Sequence, residues 1–174
     1  MINYFNIPGL GNSGPEHWQT YFESVIEGYK RIEQKEWDAP VCEDWISTIN
    51  ENLMGQDLSN VVLVGHSLGC ATIAHFAAKY GKQVRAAMLV APSDLEAPAY
   101  TFPAVGFDPI PLQKINFKTV VVASSNDPWV SLERARYFAA CWGSDIIEIG
   151  DAGHINVASG HGRWARGLEI LKTL

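Results

Sequence analysis

The chain has 174 residues, of which 47% are apolar and 18% are charged, and its formal net charge is −6. Because domains commonly span about 100–200 residues, this length predicts one domain, residues 1–174, with a substantial buried core. The absence of any run of basic residues disfavours a nucleic-acid partner. Purely apolar runs such as residues 86–91 are too short to span a membrane, so no membrane partner is expected.

Cysteine usage and the first residues of the chain bear on the cellular compartment. Cys42, Cys70 and Cys141 are widely spaced and form no C-x-x-C pair, so neither a disulfide framework nor a zinc site is predicted. The first ten residues lack the basic segment and the apolar segment of a signal peptide. We therefore expect a cytoplasmic protein with reduced cysteines.

The first third of the chain alternates short apolar runs with longer amphipathic stretches. Residues 2–7 are predicted to form a strand, followed by a glycine-rich turn at 8–14. Apolar residues over 18–26 recur at intervals of three and four, which predicts a helix. A weaker strand is predicted over 29–34 and a second helix over 41–53.

The same alternation continues to the end of the chain. The continuous apolar run at 61–64 is typical of a strand that is buried on both faces. A helix rich in small residues is predicted over 68–80, between that strand and another at 84–90. The remaining predicted elements are a strand at 119–123, a helix at 132–142, a strand at 146–149 and a helix around 164–171.

This order of elements favours an α/β fold, with a mostly parallel sheet of about six strands and helices on both faces. The exception is the segment 92–118, which holds five of the nine prolines and shows no sustained periodicity. Long irregular connections are often lids or binding loops, and we expect this one to lie over a functional site. An excursion that covers an edge of the sheet is the alternative.

The most informative motif is the Gly-His-Ser-Leu-Gly sequence at residues 65–69, a G-x-S-x-G pattern. It lies between a predicted buried strand and a predicted helix. In that setting the pattern is typical of a nucleophile elbow, a sharp turn that holds the serine in a strained conformation above the sheet. Ser67 is therefore the candidate nucleophile; the alternative is a serine that only caps the helix.

A serine needs a base to accept its proton and a third group to orient that base. In a parallel sheet these partners should follow strands, because ligands bind at the carboxyl ends. Asp127 and His154 follow the predicted strands at 119–123 and 146–149, and the order Ser, Asp, His is that of α/β-hydrolases. Asp94 and Asp151 are competing acids, and we favour Asp127 because Pro128 fixes its backbone.

Acyl transfer also requires donors for an oxyanion. We expect one to be the backbone amide of Leu68 and the other to come from the glycine-rich turn, with Leu10 preferred and Gly11 as the alternative. Gly9, Gly11 and Gly14 also fit a G-x-G-x-x-G phosphate motif. That interpretation is disfavoured, because Pro15 follows directly and the lysine of a P-loop is missing.

A few residues are candidates for contact with the substrate. His17 begins the first predicted helix just after the glycine-rich turn and could face the site, although a capping or packing role is favoured. Trp129 lies beside the predicted triad acid and is a candidate wall of an apolar pocket. Three aromatic residues of the irregular segment, Tyr100, Phe102 and Phe107, are further candidates, and each could instead pack in the core.

Several segments together resemble the small bacterial serine hydrolases related to retinoblastoma-binding protein nine. They are the Pro-Gly pair at 8–9, the Gly-Pro-Glu-His-Trp segment at 14–18, the motif at 65–69, Asn-Asp-Pro at 126–128 and Gly-His at 153–154. The resemblance extends over nearly the whole chain. The elbow is common to all α/β-hydrolases, so the His-Trp segment and the compact spacing are the specific part.

The resemblance implies a minimal α/β-hydrolase without a cap domain, and an esterase-like activity. It also implies Ser67 as nucleophile, Asp127 as acid and His154 as base. Together with the motifs, it predicts a serine hydrolase that cleaves small esters or amides through an acyl-enzyme, without a metal or organic cofactor. The alternatives are an acyltransferase that uses the same triad, and a protein-interaction module whose serine site is vestigial, since some relatives bind proteins.

Overall fold

A sheet of six parallel strands forms the centre of the protein in the computed structural model, which describes residues 1–174. The strands are β1 (Asn3–Ile7), β2 (Tyr29–Arg31), β3 (Val61–His66), β4 (Ala86–Val90), β5 (Lys118–Ala123) and β6 (Asp145–Glu148). Across the sheet they follow the order β2-β1-β3-β4-β5-β6. The strand order therefore reverses between β1 and β3, the kind of point at which parallel sheets bind ligands beyond the carboxyl ends of their strands.

Five α-helices cover the two faces of the sheet. They are α1 (Trp18–Val25), α2 (Cys42–Asn52), α3 (Leu68–Tyr80), α4 (Leu132–Trp142) and α5 (Ala165–Leu171). Apolar side chains of α2, α3 and α4 belong to one buried cluster, and those of α1 and α5 belong to another. The predicted α/β class, with helices on both faces of a six-stranded parallel sheet, is confirmed. None of the helices has the length and apolar character needed to cross a membrane.

Burial on both faces of the sheet explains why the sequence of β3 is apolar without interruption. Successive side chains of a strand point to opposite faces. Val61 and Leu63 pack in the cluster with α2, α3 and α4, while Val62 and Val64 pack in the cluster with α1 and α5. All four are fully buried. The strand is therefore held rigidly from both sides at the position where the motif at 65–69 begins.

The elements match the predicted ones in number and order, and the clearest difference is the length of β2. It ends at Arg31 instead of residue 34. The amide of Ile32 still donates to the carbonyl of Asn6 across 2.9 Å, and beyond it the chain leaves the sheet toward α2. The edge of the sheet is therefore short on this side.

The predicted irregular segment 92–118 connects the adjacent strands β4 and β5 without an α-helix, and its last residue is the first of β5. Phe107, Ile110 and Ile115 pack in the cluster with α2, α3 and α4, so this part of the segment takes the place of a helix on that face. Val105 exchanges backbone hydrogen bonds of 2.9 Å with residues at the start of α2. Tyr100 and Phe102 of the segment lie at the site described next, while its buried part covers a face of the sheet instead of an edge.

Candidate active site

Ser67 lies on a sharp turn between β3 and α3. Its backbone has φ 56° and ψ −123°, a conformation that non-glycine residues rarely adopt, and its amide donates to the carbonyl of Val90 across 3.0 Å. The turn brings the start of α3 directly against the end of β1. A Cβ at Gly69 would lie 2.1 Å from the carbonyl oxygen of Ile7, so only glycine fits there. The elbow geometry predicted for residues 65–69 is present.

The side chains of Ser67, His154 and Asp127 form a continuous chain of hydrogen bonds. His154 Nε2 lies 2.9 Å from Ser67 Oγ, and His154 Nδ1 lies 2.9 Å from both carboxylate oxygens of Asp127. The Asp127 carboxylate is fully buried, and it also accepts the backbone amide of Trp129 across 2.8 Å. Since a carboxylate only accepts hydrogen bonds, Nδ1 carries the proton and Nε2 is left free to accept from the serine.

The two competing acids are engaged elsewhere. Asp94 forms an ion pair of 3.1 Å with Arg134, and Asp151 accepts a hydrogen bond from Ser125. Neither contacts His154. Of the three acids considered from the sequence, only Asp127 is therefore in a position to orient the imidazole.

Two hydrogen bonds hold the backbone around His154. The amide of the preceding Gly153 donates to Asn126 Oδ1 across 2.7 Å, and His66 Nε2 donates to the carbonyl of His154 across 2.8 Å. Burial lowers the pKa of His66 well below its ordinary value, and the neighbouring His154 and His17 lower it further. A neutral His66 still has one N–H to donate, so this bond does not require its protonation.

The two amides predicted as oxyanion donors have no partner within the protein. Neither Leu10 nor Leu68 donates its backbone amide to a protein atom, whereas the alternative, Gly11, donates to the carbonyl of Trp37 across 2.9 Å. The loop after β1 also lies directly against the serine. A Cβ at Gly9 would come within 2.8 Å of the Ser67 Cβ, so glycine is required for this approach.

Arg31, at the end of β2, fixes the position of this loop. Its Nη1 donates to Asn12 Oδ1 and to the carbonyl of Ser13, both across 2.8 Å. Its Nε pairs with Glu23 on α1, also at 2.8 Å, and its side chain is 12% exposed. The sequence analysis did not single out this arginine, because its partners become neighbours only after β2 pairs with β1.

A cavity of about 200 Å³ opens at Ser67. Its lining comprises Leu10, Ser67, Ser93, Tyr100, Phe102, Trp129 and His154. Tyr100 and Phe102 lie edge to face with ring centroids 5.2 Å apart, and Phe102 and Trp129 are 5.1 Å apart in the same manner. Burial raises the pKa of Tyr100 to about 12. No carboxylate, ammonium or guanidinium group lines the cavity, which suits it to uncharged groups.

Two of the residues considered for substrate contact lie outside this cavity. His17 is 6% exposed and caps α1, where its Nδ1 accepts the amide of Gln19 across 3.2 Å. Burial, together with the nearby Arg31, lowers its pKa to about 4. The capping alternative is therefore the one observed, and the expectation of substrate contact is corrected. Phe107 likewise packs in the core against Trp45, with ring centroids 5.6 Å apart.

The structure adds one polar residue to the site that the sequence analysis missed. Ser93, three residues beyond the carboxyl end of β4, lines the cavity, and its Oγ lies 2.8 Å from Ser67 Oγ. The only available signal was its position just after a predicted strand, which several other polar residues share.

Comparison with solved structures relates the chain to proteins of the same fold. A protein described as a YdeN-like hydrolase from Pectobacterium atrosepticum is 33% identical, with a TM-score of 0.87 over 98% of this chain and 89% of that one. The ydeN gene product of B. subtilis is 19% identical, with a TM-score of 0.81 over 99% and 98% of the two chains. A protein described as a CIB-like hydrolase, from Thermoplasma acidophilum, is 18% identical, with a TM-score of 0.68 over 99% and 87% of the two chains.

Comparison of the sequence with family profiles assigns the chain to a family. No curated protein sequence matches the chain at a significant level. The sequence profile of the serine hydrolase family, however, matches residues 4–173, nearly the full length. With the six-stranded fold and a hydrolase neighbour at 33% identity, this match is decisive. The chain belongs to the serine hydrolase family and has the fold of a small α/β-hydrolase.

Proposed function

We propose that the protein hydrolyses small, uncharged esters by nucleophilic catalysis, with Ser67 as nucleophile, His154 as base and Asp127 as the acid that orients it. The observation that carries this proposal is the unbroken chain of hydrogen bonds from Ser67 Oγ through the imidazole to the buried carboxylate. Serine becomes an effective nucleophile when a base so oriented accepts its proton.

In the acylation step, Ser67 Oγ attacks the carbonyl carbon of the ester while its proton passes to His154 Nε2. The carbonyl π electrons move to oxygen, and the amides of Leu68 and Leu10 donate to the oxyanion. The imidazolium then protonates the leaving alcohol as the C–O bond breaks, which leaves the acyl group on Ser67. Asp127 stabilises the imidazolium without accepting its proton.

Deacylation repeats these steps with water as the nucleophile. His154 Nε2 accepts a proton from the water, whose oxygen attacks the acyl carbon, and the same two amides hold the second oxyanion. The proton then returns to Ser67 Oγ as the acid product leaves. Amide substrates fit the same scheme, but the poorer leaving group makes esters the better first probes.

The cavity supports a limit on substrate size. Its volume of about 200 Å³ lies below the range of about 300–1,000 Å³ typical of pockets for drug-sized ligands. The rings of Tyr100, Phe102 and Trp129 give it apolar walls close to the nucleophile. Esters with short acyl groups are therefore the proposed substrates. Within the serine hydrolase family, we propose that the protein is related to the group that includes retinoblastoma-binding protein nine.

The test is covalent labelling of Ser67 together with ester hydrolysis. Wild-type protein is expected to react with a fluorophosphonate probe and to hydrolyse p-nitrophenyl acetate, and Ser67→Ala to do neither, since loss of a serine nucleophile costs about 10⁶ in rate. Ser125→Ala, at the same edge of the sheet, is the matched control and should behave as wild type. Wild-type protein that neither reacts nor hydrolyses would overturn the proposal and favour an interaction module.

Added alcohols and amines separate hydrolysis from transfer to another acceptor. With p-nitrophenyl acetate as donor, a hydrolase releases acetate as its main product even when an acceptor is present. Acetylated acceptor as the main product at millimolar acceptor concentration would instead identify an acyltransferase that uses the same residues. Product analysis by mass spectrometry measures this partition directly.

A further inference from the structure

The nucleophile has a second hydrogen-bond partner besides the imidazole. Ser93 Oγ lies 2.8 Å from Ser67 Oγ, and no other protein atom hydrogen-bonds to the Ser93 hydroxyl. Ser93 is 2% exposed and lines the cavity. Buried polar groups are nearly always hydrogen-bonded, and the only protein atom that satisfies the Ser93 hydroxyl is Ser67 Oγ.

The direction of this bond follows from the rest of the chain of hydrogen bonds. The Asp127 carboxylate can only accept, so His154 carries its proton on Nδ1 and accepts at Nε2. Ser67 has one hydroxyl proton, which it donates to Nε2. The bond between the two serines must therefore be donated by Ser93 and accepted by Ser67 Oγ.

The topology places Ser93 on the side of Ser67 away from the oxyanion donor Leu10. Strands β1 and β4 are the two neighbours of β3, the loop with Leu10 follows β1, and Ser93 follows β4. Ser93 is thus positioned to act on the serine oxygen from the side opposite that loop.

The turn that carries Ser93 is one of four strained points that surround the site. The non-glycine residues with positive φ are Asn12, Ser67, Ala91 and Ile155, with φ between 49° and 67°. They belong respectively to the oxyanion loop, the elbow, the turn before Ser93 and the position after His154. Such strain persists where the surrounding structure enforces it, and it concentrates at functional sites. The strained turn at Ala91 is therefore a feature of the site, like the other three strained positions.

We propose that Ser93 is a further catalytic residue, which donates a hydrogen bond to Ser67 Oγ while that atom gains negative charge. This role rests on the proposed function. In acylation the Ser67 O–H bond breaks, its proton goes to His154 Nε2, and the oxygen electron pair forms the bond to the carbonyl carbon. Ser93 keeps its own proton throughout, so it stabilises charge without being consumed.

The same bond acts again in deacylation. There Ser67 Oγ is the leaving group, and it gains negative charge as its bond to the acyl carbon breaks, before the imidazolium returns the proton. Ser93 thus lowers both barriers by acting on one atom. Because it does not need to touch the substrate in the ground state, its loss should lower kcat and leave KM nearly unchanged.

The test compares three substitutions at position 93 by p-nitrophenyl acetate hydrolysis and by the rate of fluorophosphonate labelling. Ser93→Ala removes the donor, Ser93→Cys replaces the hydroxyl by a somewhat larger and weakly donating thiol, and Ser93→Thr keeps the hydroxyl. We expect Ala and Cys to lower kcat and the labelling rate by about ten- to a hundredfold, as for loss of a hydrogen bond to a charged group. KM should change by less than about twofold, and Thr should recover most of the loss.

The control is Ser125→Ala, and thermal melts of every variant report on folding. Wild-type rates in Ser93→Ala, or in a folded Ser93→Cys, would overturn the role of Ser93 and leave the proposed function intact. A rise in KM with unchanged kcat would also overturn it, because that result indicates simple substrate binding. Wild-type protein without activity or labelling would overturn the proposed function itself, and this role with it.

Discussion

His66 and His154 are 88 residues apart in the chain, yet the imidazole of His66 donates to the backbone carbonyl of His154 across 2.8 Å. His66 directly precedes Ser67, so this bond joins the loop of the proposed nucleophile to the loop of the proposed base. The two imidazole rings lie 4.9 Å apart. A residue at the variable position of the elbow motif therefore helps to set the distance between the side chains of Ser67 and His154.

Replacement of His66 by alanine should lower activity more than its effect on stability explains. The carbonyl of His154 loses its donor, which is expected to destabilise the fold by about 1–3 kcal/mol. A small displacement of the imidazole from Ser67 Oγ should lower kcat by about tenfold or more. Urea denaturation and p-nitrophenyl acetate kinetics measure the two effects.

His75→Ala is the matched control for that variant. His75 Nε2 also lies 2.8 Å from a backbone carbonyl, that of Phe107, and no atom of His75 lines the cavity. It should lose similar stability with kcat near the wild-type value. Equal losses of kcat in the two variants would show that His66 acts through general stability and not through the position of His154.

Arg31 should matter for catalysis although it lies outside the cavity. In Arg31→Met, Glu23 and the loop carbonyl of Ser13 lose a donor that is largely buried, which is expected to cost about 2–4 kcal/mol. The loop that carries Leu10 is then less fixed, and kcat should fall by about tenfold or more, since one oxyanion donor is worth about 10²–10³ in rate when lost entirely.

The comparison variant for Arg31 is Arg136→Met. Arg136 pairs with Glu148 at 2.7 Å, but its side chain is 56% exposed. Exposed ion pairs contribute little to stability because solvent screens them, so this variant should resemble wild type in both assays. Unchanged kcat in Arg31→Met would show that Arg31 does not position the loop that carries Leu10.

The sequence predicted those features that depend on local pattern and on strand ends. The buried strand before the motif at 65–69 and the helix after it are local signals, and they located Ser67. The rule that ligands meet the carboxyl ends of parallel strands then selected Asp127 and His154 as positions to consider. The α/β class follows from the same alternation of strand and helix.

Features that depend on side-chain direction across the sheet were not predictable. Ser93 and Asp94 both follow β4, and nothing in their local sequence tells which one turns toward Ser67. Phe107 looked as suitable for the cavity as Phe102, but it packs into the core in place of a crossover helix. Arg31 gains its partners only through the pairing of β2 with β1.

Stability should fall between pH 6.5 and pH 4, in part because of His17. Burial lowers its pKa in the folded protein to about 4, while the unfolded chain titrates near 6.5. In that window the unfolded state binds a proton that the folded state does not, so the free energy of unfolding decreases as the pH falls. At pH 5 the expected loss from His17 is about 2 kcal/mol relative to pH 7.5.

His17→Asn separates this contribution from the rest of the acid dependence. Asparagine does not titrate and is a good N-cap residue, so it can replace the cap of α1. The difference in unfolding free energy between pH 7.5 and pH 5, from urea denaturation, should be smaller in the variant by about 2 kcal/mol. An unchanged pH dependence would exclude His17 as a source of it.

Phe102 should limit the length of the acyl group. It is 41% exposed and lies between the rings of Tyr100 and Trp129 in the wall of the cavity. Truncation in Phe102→Ala opens this wall, so longer chains gain space while acetate loses little. The ratio of kcat/KM for p-nitrophenyl octanoate to that for the acetate should rise by about tenfold, the scale at which apolar pockets discriminate size.

Tyr137→Ala is the control for this change, because Tyr137 is an aromatic residue of similar exposure, 44%, that does not line the cavity. Its ratio of kcat/KM values should equal that of wild type. Wild-type protein itself should hydrolyse the acetate faster than the octanoate, because the cavity of about 200 Å³ leaves little room for a long chain. A wild-type preference for the octanoate would mean that the acyl group binds outside this cavity, and Phe102 would then lose its role as the limiting wall.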